Sequence, residues 1–422
     1  VQGANGDYLD MNLVTGQVSA SMNDGMTASQ NGIGFSNLDG LIYGTEGTTG
    51  NIFITEITST PTGYVYSSTR VGHIAALQGI NLLTGDVYGG RLYTRIGTST
   101  STYYVIDVDP ASPTYLQLLS TNTASLSFET YDWSYSPVDN NLYAISPSGN
   151  LIRLNPLTNV VTNLGASVPG ASYGATFFDN LGYFYAYNNT TGVIYRINVP
   201  SGTYTGVSFS NGPSGLSNND GARCADAPLP IDFGDLPDTS TAFVGSGTGV
   251  GQYRTMLSND GARHFVNSFL GLTAGGAVTL ENDGQPALNA DADVDDAVTQ
   301  VSLDGFTNNC CLNVSVMNEY TGPSALDATL YAWIDFNNNG RFDGNEISTT
   351  IVPPNTASGT TMDICFDLTG VTLTCGAQYY ARFRITTDVL VNSNSGNLTL
   401  EDTRSYGVAA DGEVEDYRFT II

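Results

Sequence analysis

The chain has 422 residues, of which 40 are acidic and 13 are basic, every one of the latter an arginine, for a net charge of -27. A field of that sign repels phosphate backbones and anionic lipid, which excludes nucleic acid as a partner and an anionic membrane as a docking surface. No apolar run approaches the roughly 20 residues of a spanning helix, so no membrane insertion is expected. The chain opens on Val1 without an initiator methionine or a basic and apolar leader, and the expectation is a processed, soluble protein.

With 48 glycines and 25 tyrosines, the composition suits short twisted strands joined by tight turns. The fold class expected is all-β, and the length allows two or three domains with proper cores. The acidity is uneven: residues 1–225 carry 14 acids and 6 arginines, and residues 226–422 carry 26 acids and 7 arginines.

The N-terminal half repeats itself. Tyr43, Tyr93, Tyr143 and Tyr185 each sit in a short apolar strand, 50, 50 and 42 residues apart, and each strand is followed by another. Strands recurring at this spacing read as propeller blades packed face to face. Residues 8–19 match the later part of such a repeat, so the chain begins partway through a blade. Its inner strand is then expected from 215–224, closing a ring of about five blades. Trp133, Tyr135, Phe177 and Phe178 read as packing. Glu129 and Asp132 are the best carboxylate pair for the central channel, but no basic cluster stands beside them. With His73 and His264 as the whole histidine complement, no catalytic triad can be assembled, and no catalytic residue is assigned.

The stretch 226–240 is rich in proline and aspartate and reads as a linker, dividing a propeller at 1–225 from a β-sandwich at 241–422. Strands are expected at 297–303, 312–317, 328–334, 362–368, 378–385 and 414–421. In the fifth, Tyr379, Ala381, Phe383 and Ile385 face one way and Tyr380, Arg382 and Arg384 the other, the alternation of a sandwich with one wet face.

The third of these strands runs into a twelve-residue loop with oxygen ligands at calcium spacing. Asp335, Asn337, Asn339, Asp343 and Glu346 stand at positions 1, 3, 5, 9 and 12, Arg341 offers its carbonyl at position 7, and Gly340 at position 6 permits the sharp turn. An Asx-rich surface turn would not need the carboxylate at position 12. Because a strand rather than a helix leads in, the ion reads as a structural clamp and not a switch. Asp291, Asp293, Asp295 and Asp296 form an acidic run, and Glu413, Glu415 and Asp416 a second cluster. Folded together they would repel one another without a cation, so they are a candidate second calcium site.

Five cysteines without a C-x-x-C pair fit an oxidising compartment. Strand parity suggests Cys310 with Cys375 and Cys311 with Cys365, leaving Cys224 unpaired, although adjacent cysteines permit the reverse assignment.

The segments Asp-Phe-Gly-Asp-x-Pro-Asp at 232–238, Asn-Asp-Gly-Ala-Arg-His at 259–264, Asp-Gly-Gln-Pro at 283–286, Trp-Ile-Asp-Phe-Asn at 333–337 and Gly-Glu-Val-Glu-Asp at 412–416 occur together. By these motifs residues 231–422 resemble the GEVED domain of secreted bacterial surface proteins, and residues 1–225 look like the propeller that often precedes it. The resemblance implies a β-sandwich on an exported protein without catalytic activity.

Three functions compete: a calcium-stabilised protomer of an extracellular homopolymer, filament or surface layer; a monomeric adhesin or glycan-binding protein; and a propeller-type hydrolase. The first is preferred, with the C-terminal strand either completing its own sheet or adding to a neighbour's.

Overall fold

The computed structural model describes residues 7–26, 30–60, 63–217, 219–238, 253–272, 278–291, 309–322, 325–374 and 376–420. The chain divides into two compact units, Val1–Leu229 and Pro230–Ile422. No helix among the described residues is long and apolar enough to cross a membrane.

The N-terminal unit opens with a short antiparallel pair, β1 (Asp7–Tyr8) and β2 (Met22–Asn23). Four meanders of four strands follow, each in chain order. The first is β3 (Gln30–Phe35), β4 (Ile42–Glu46), β5 (Asn51–Thr60) and β6 (Gly63–His73). The second is β7 (Thr84–Tyr88), β8 (Arg91–Arg95), β9 (Thr100–Asp107) and β10 (Leu118–Phe128). The third is β11 (Trp133–Tyr135), β12 (Leu142–Ile145), β13 (Asn150–Asn155) and β14 (Val160–Ala166). The fourth is β15 (Tyr173–Phe178), β16 (Tyr183–Asn188), β17 (Val193–Asn198) and β18 (Thr203–Asn211).

The first strand of each meander lies beside the first strand of the next, β3 on β7, β7 on β11 and β11 on β15, so the four sheets radiate from a common axis. The contact of the first two needs glycine. A Cβ on Gly34 would fall 2.2 Å from the backbone nitrogen of Val87, and one on Gly85 would fall 2.3 Å from the carbonyl carbon of Gly32.

The ring is closed by both ends of the unit. Asp220 accepts the Ile33 N–H of β3 at 2.9 Å, and Gly221 lies against the Phe177 ring of β15. Tyr8 stacks on Tyr66 of β6 at 4.7 Å, while the Leu13 carbonyl accepts from Ser210 of β18. The unit is a five-bladed β-propeller whose last blade is shared between the termini. This removes the free edges an open ring would leave.

The four repeat tyrosines fall on the second strand of their blades and are buried. Three of them donate to an aspartate in the preceding turn: Tyr43 to Asp39 and Tyr143 to Asp139, each at 2.6 Å, and Tyr185 to Asp179 at 2.8 Å. A phenol that is buried needs a hydrogen-bond acceptor. The register of the repeat is therefore a packing register, as expected for Trp133, Tyr135, Phe177 and Phe178, all buried too.

The C-terminal unit is a sandwich. One sheet is β21 (Leu270–Gly271), β22 (Asn309–Asn318) and β25 (Thr356–Asp367); the other has the order β24 (Ile347–Val352), β23 (Ala328–Ile334), β26 (Gln378–Thr386) and β28 (Glu413–Thr420). Between them Leu312, Val314 and Ile364 meet Leu330, Ala332 and Phe383. A small third sheet joins β19 (Ile231–Phe233) to β20 (Arg263–Phe265) and β27 (Val408–Ala409).

Three readings of the sequence change here. The stretch 226–240 is not simply a linker, because Ile231–Phe233 pairs with Arg263–Phe265 and Asp232, Asp235 and Asp238 are buried in the C-terminal unit. The strand expected at 297–303 lies outside the described residues. Strand β24 was not anticipated; it is amphipathic too weakly to stand out.

The expected wet face of β26 is the largest correction, since Arg382 and Arg384 are both 0% exposed. That face is covered by a second core containing Leu236, Tyr253, Tyr331, Trp333, Phe342 and Tyr380. Arg382 makes a two-pronged pair with Asp416, Nε to Oδ1 and Nη2 to Oδ2 at 2.8 Å each, and also reaches the carbonyls of Tyr253 and Ser405. Arg384 is solvated by the carbonyls of Arg404, Tyr406 and Gly407, and its Nε donates to Nε2 of His264 at 2.9 Å. His264 holds its proton on Nδ1, facing the Asp411 carbonyl at 2.7 Å. Burial and the neighbouring Arg384 keep its pKa well below the usual range, so it stays neutral.

Cys311 and Cys365 are cross-strand partners on β22 and β25 and form a disulfide, as strand parity predicts. Cys224 is a free thiol. The Cys310–Cys375 pairing lies outside the described residues. The C-terminal strand β28 pairs with β26 of its own sheet.

Candidate functional site

The loop 335–346 leaves β23 and folds back into β24. Asp335, Asp343 and Glu346 are 0%, 3% and 3% exposed, three carboxylates buried within twelve residues. Gly340 has φ +86°, the left-handed turn that its position in the pattern requires. Asp335 ties the two ends of the turn: Oδ1 accepts from Asn339 N at 3.1 Å, and Oδ2 accepts from Gly340 N at 2.8 Å and from the Tyr253 hydroxyl at 2.6 Å. Glu346 reaches back along the loop, taking the N–H of Asn337 at 3.3 Å and of Asp343 at 2.9 Å.

The amides of Asn337 and Asn339 converge on Oδ2 of Asp343, at 3.2 and 2.8 Å. The guanidinium of Arg341 takes the other oxygen at 2.7 Å. Burial raises the Asp335 carboxyl and pushes Glu346 up to about 8, so this negative charge is poorly compensated by the protein alone.

The donor set is all oxygen and suits a hard cation. Among the described residues no three acidic, histidine or cysteine side chains are gathered as metal ligands. Here the asparagine nitrogens face Asp343. Rotating each amide by half a turn presents an oxygen instead without moving the backbone.

Four of the seven residues of the candidate second site, Asp291, Glu413, Glu415 and Asp416, are among the described residues. Asp291 is exposed, and Asp293, Asp295 and Asp296 lie outside the described residues. Asp416 is neutralised by Arg382 and accepts the N–H groups of Asp235 and Leu236. Glu413 and Glu415 are buried, and both act on the carboxyl of Asp232, as does Glu281. Asp232 accepts from Val414 N at 2.6 Å, Glu281 from Phe233 N at 3.0 Å and Glu413 from Leu272 N. Burial first, then the charges of Glu413 and Glu281, hold Asp232 well above the usual carboxylate range. The motif at 232–238 marked this aspartate, but nothing local in the sequence pointed to its distant acidic neighbours.

At the propeller axis Asp132 is partnered by Asp220, not by Glu129, which is exposed. Asp86, Asp132 and Asp220 follow one rule. In each, one oxygen accepts the next residue's N–H, and the other crosses to the inner strand of the following blade: Asp86 to Tyr135 N at 2.7 Å, Asp132 to Thr176 N at 2.6 Å and Asp220 to Ile33 N. Burial raises all three, Asp86 to about 8 and Asp220 to about 7, and the neighbouring Asp220 raises Asp132 further.

A search of curated proteins gives no match. Among solved structures the chain is similar to a protein of unknown function from Bacteroides thetaiotaomicron, at 13% identity over 53% of this chain and 63% of that one, with a TM-score of 0.35. It is also similar to virginiamycin B lyase from Staphylococcus aureus, at 14% identity over 48% and 63%, with a TM-score of 0.29. A glutaminyl cyclase from Myxococcus xanthus gives 16% over 40% and 72%, with a TM-score of 0.28. The chain thus spans less than two thirds of the length of the first two. Residues 329–420 match the GEVED domain, and residues 8–226 match a repeat family of unknown function (DUF6923). The chain belongs to that repeat family, DUF6923, and carries a GEVED domain after the repeats.

Proposed function

We propose that this is a non-enzymatic extracellular structural protein whose C-terminal unit is clamped by calcium at 335–346 and which serves as a protomer of a homopolymeric filament or surface layer. The observation that carries the reading is the burial of Asp335, Asp343 and Glu346 in one loop with a single guanidinium for compensation. Calcium would supply the missing positive charge. Asp335, Asn337, Asn339, Asp343, Glu346 and the Arg341 carbonyl would hold it. Tyr253 positions Asp335 through its hydroxyl and ties a distant segment to the loop, so the clamp would stiffen more than the loop itself.

Three observations support the rest. The Cys311–Cys365 disulfide suits an oxidising compartment. The axial carboxylates have their oxygens engaged by backbone N–H groups, which favours a structural role over acid-base work. The outermost propeller strands β6 and β10 expose Tyr64, Val65, Leu119 and Leu126, edges suited to pairing between chains.

Electron microscopy of the purified protein tests this reading. Filaments or sheets are expected in millimolar calcium and dispersal after EDTA. Single particles in both conditions would remove the assembly claim and leave the monomeric adhesin.

A further inference from the structure

At one end of the propeller axis the inner strands leave a cavity of about 640 Å3, within the roughly 300–1,000 Å3 of small-molecule sites. Every blade contributes to its wall: Asn31 from the first, Asn81 from the turn into the second, Tyr131 from the turn into the third, Ser172 and Asn189 from the fourth, and Asn219 from the closing segment. None of the described lining residues is charged.

The amides in the wall are oriented by the backbone. The Gly174 N–H donates to Oδ1 of Asn189 at 3.3 Å, which fixes that amide and directs its Nδ2 at Oδ1 of Asn219, 2.7 Å away. Asn219 is therefore fixed as well. Its own Nδ2 is left buried with no acceptor, on a side chain only 6% exposed. Position 174 must be glycine for the pair to exist, since a Cβ there would fall 2.3 Å from Oδ1 of Asn219. A buried donor without an acceptor is costly unless an occupant brings an oxygen.

The sign of that orphan group selects the occupant. An N–H donor repels a metal cation. An anion finds no cationic side chain in the described wall and meets a chain of net charge -27. What remains is a neutral oxygen, and walls of amides and hydroxyls both donate and accept. Tyr131 at 36% exposed adds an aromatic face at the rim. We propose that this cavity binds a neutral carbohydrate, with Nδ2 of Asn219 donating to a sugar oxygen and the Tyr131 ring lying against a sugar face. The site is in the propeller and the calcium loop is in the other unit, so either assignment can fail without the other.

The test is binding of the full chain, in millimolar calcium, to an array of neutral hexose and N-acetylhexosamine oligosaccharides. Sulfated and phosphorylated members serve as the anionic arm and terbium(III) luminescence as the cationic one. At least one neutral oligosaccharide should bind. Asn219→Asp keeps the acceptor for Asn189 and exchanges the orphan donor for an acceptor, and should weaken that binding by about tenfold or more. Tyr131→Ala, at the rim, should weaken it without altering the melting curve. The proposal is overturned if no neutral member binds, if the anionic members or terbium are preferred at this cavity, or if both variants bind as the parent does.

Discussion

The two units bury acid by different means. In the propeller, Asp86, Asp132 and Asp220 each spend their oxygens on backbone N–H groups of their own and the following blade, and burial raises all three carboxyls. In the sandwich, Asp416 is neutralised by Arg382, while the loop at 335–346 buries Asp335, Asp343 and Glu346 with Arg341 as its ion-pair partner. Blade-to-blade geometry repeats, so a propeller can supply donors from its own backbone. The sandwich loop also gives backbone N–H groups to Asp335 and Glu346, but it gathers three buried carboxylates around one guanidinium, and an external cation is the physical way to neutralise them.

Breaking the protein's own neutralising pair should have the largest effect. Arg382→Met leaves the Asp416 carboxylate buried without its partner, a change that costs about 3–5 kcal/mol. Calorimetry should show the sandwich transition lost or strongly lowered and the propeller transition in place. Next comes Cys311→Ser with Cys365→Ser, which releases a closure across 54 residues and should cost about 2–4 kcal/mol, again confined to the sandwich.

Glu346→Gln is a smaller change. It removes one carboxylate charge from the loop, and calcium titration should show affinity reduced about tenfold or more, equivalent to about 1.4 kcal/mol. An unchanged calcium isotherm would remove Glu346 from the ligand set.

The pH dependence of the propeller should be gentler still. Asp86 and Asp220 titrate higher folded than unfolded, at about 8 and about 7. Their stabilising effect is complete below the ordinary carboxylate pKa of about 4 and is lost as pH rises through those folded values. The propeller should therefore melt at a lower temperature at pH 8 than at pH 5, with or without calcium. Asp220→Asn retains an acceptor for Ile33 and can donate to Asp132, so it should flatten that slope. A propeller stability that rises between pH 5 and 8 would contradict the raised carboxyls of Asp86 and Asp220.

Much of this was legible in the chain. The spacing of Tyr43, Tyr93, Tyr143 and Tyr185 marks the blades because a repeat must place the same residue in the same packing position. The turn at 335–346 is readable because its glycine and carboxylates lie within twelve residues, and the left-handed Gly340 and the burial of Asp335, Asp343 and Glu346 follow from that stretch. Cys311 with Cys365 followed from alternation along two strands. What failed depended on contacts distant in sequence. Arg382 and Arg384 alternate with apolar neighbours, and alternation reports that two faces differ without saying that the polar one is wet. Here backbone carbonyls and Asp416 solvate them. Asp132 was paired with nearby Glu129, whereas ring closure brings in Asp220. Asp232 stands alone in the sequence and meets Glu413 and Glu281 only through the fold.

The most direct test of the account is a calorimetric scan of the full chain in calcium and in EDTA. At a calcium concentration a hundredfold above Kd the clamp is worth about 2.7 kcal/mol, which for a domain of this size is about 5–10 °C. The account predicts that EDTA lowers the sandwich transition by that amount and leaves the propeller transition where it was. Two transitions that ignore EDTA would contradict it.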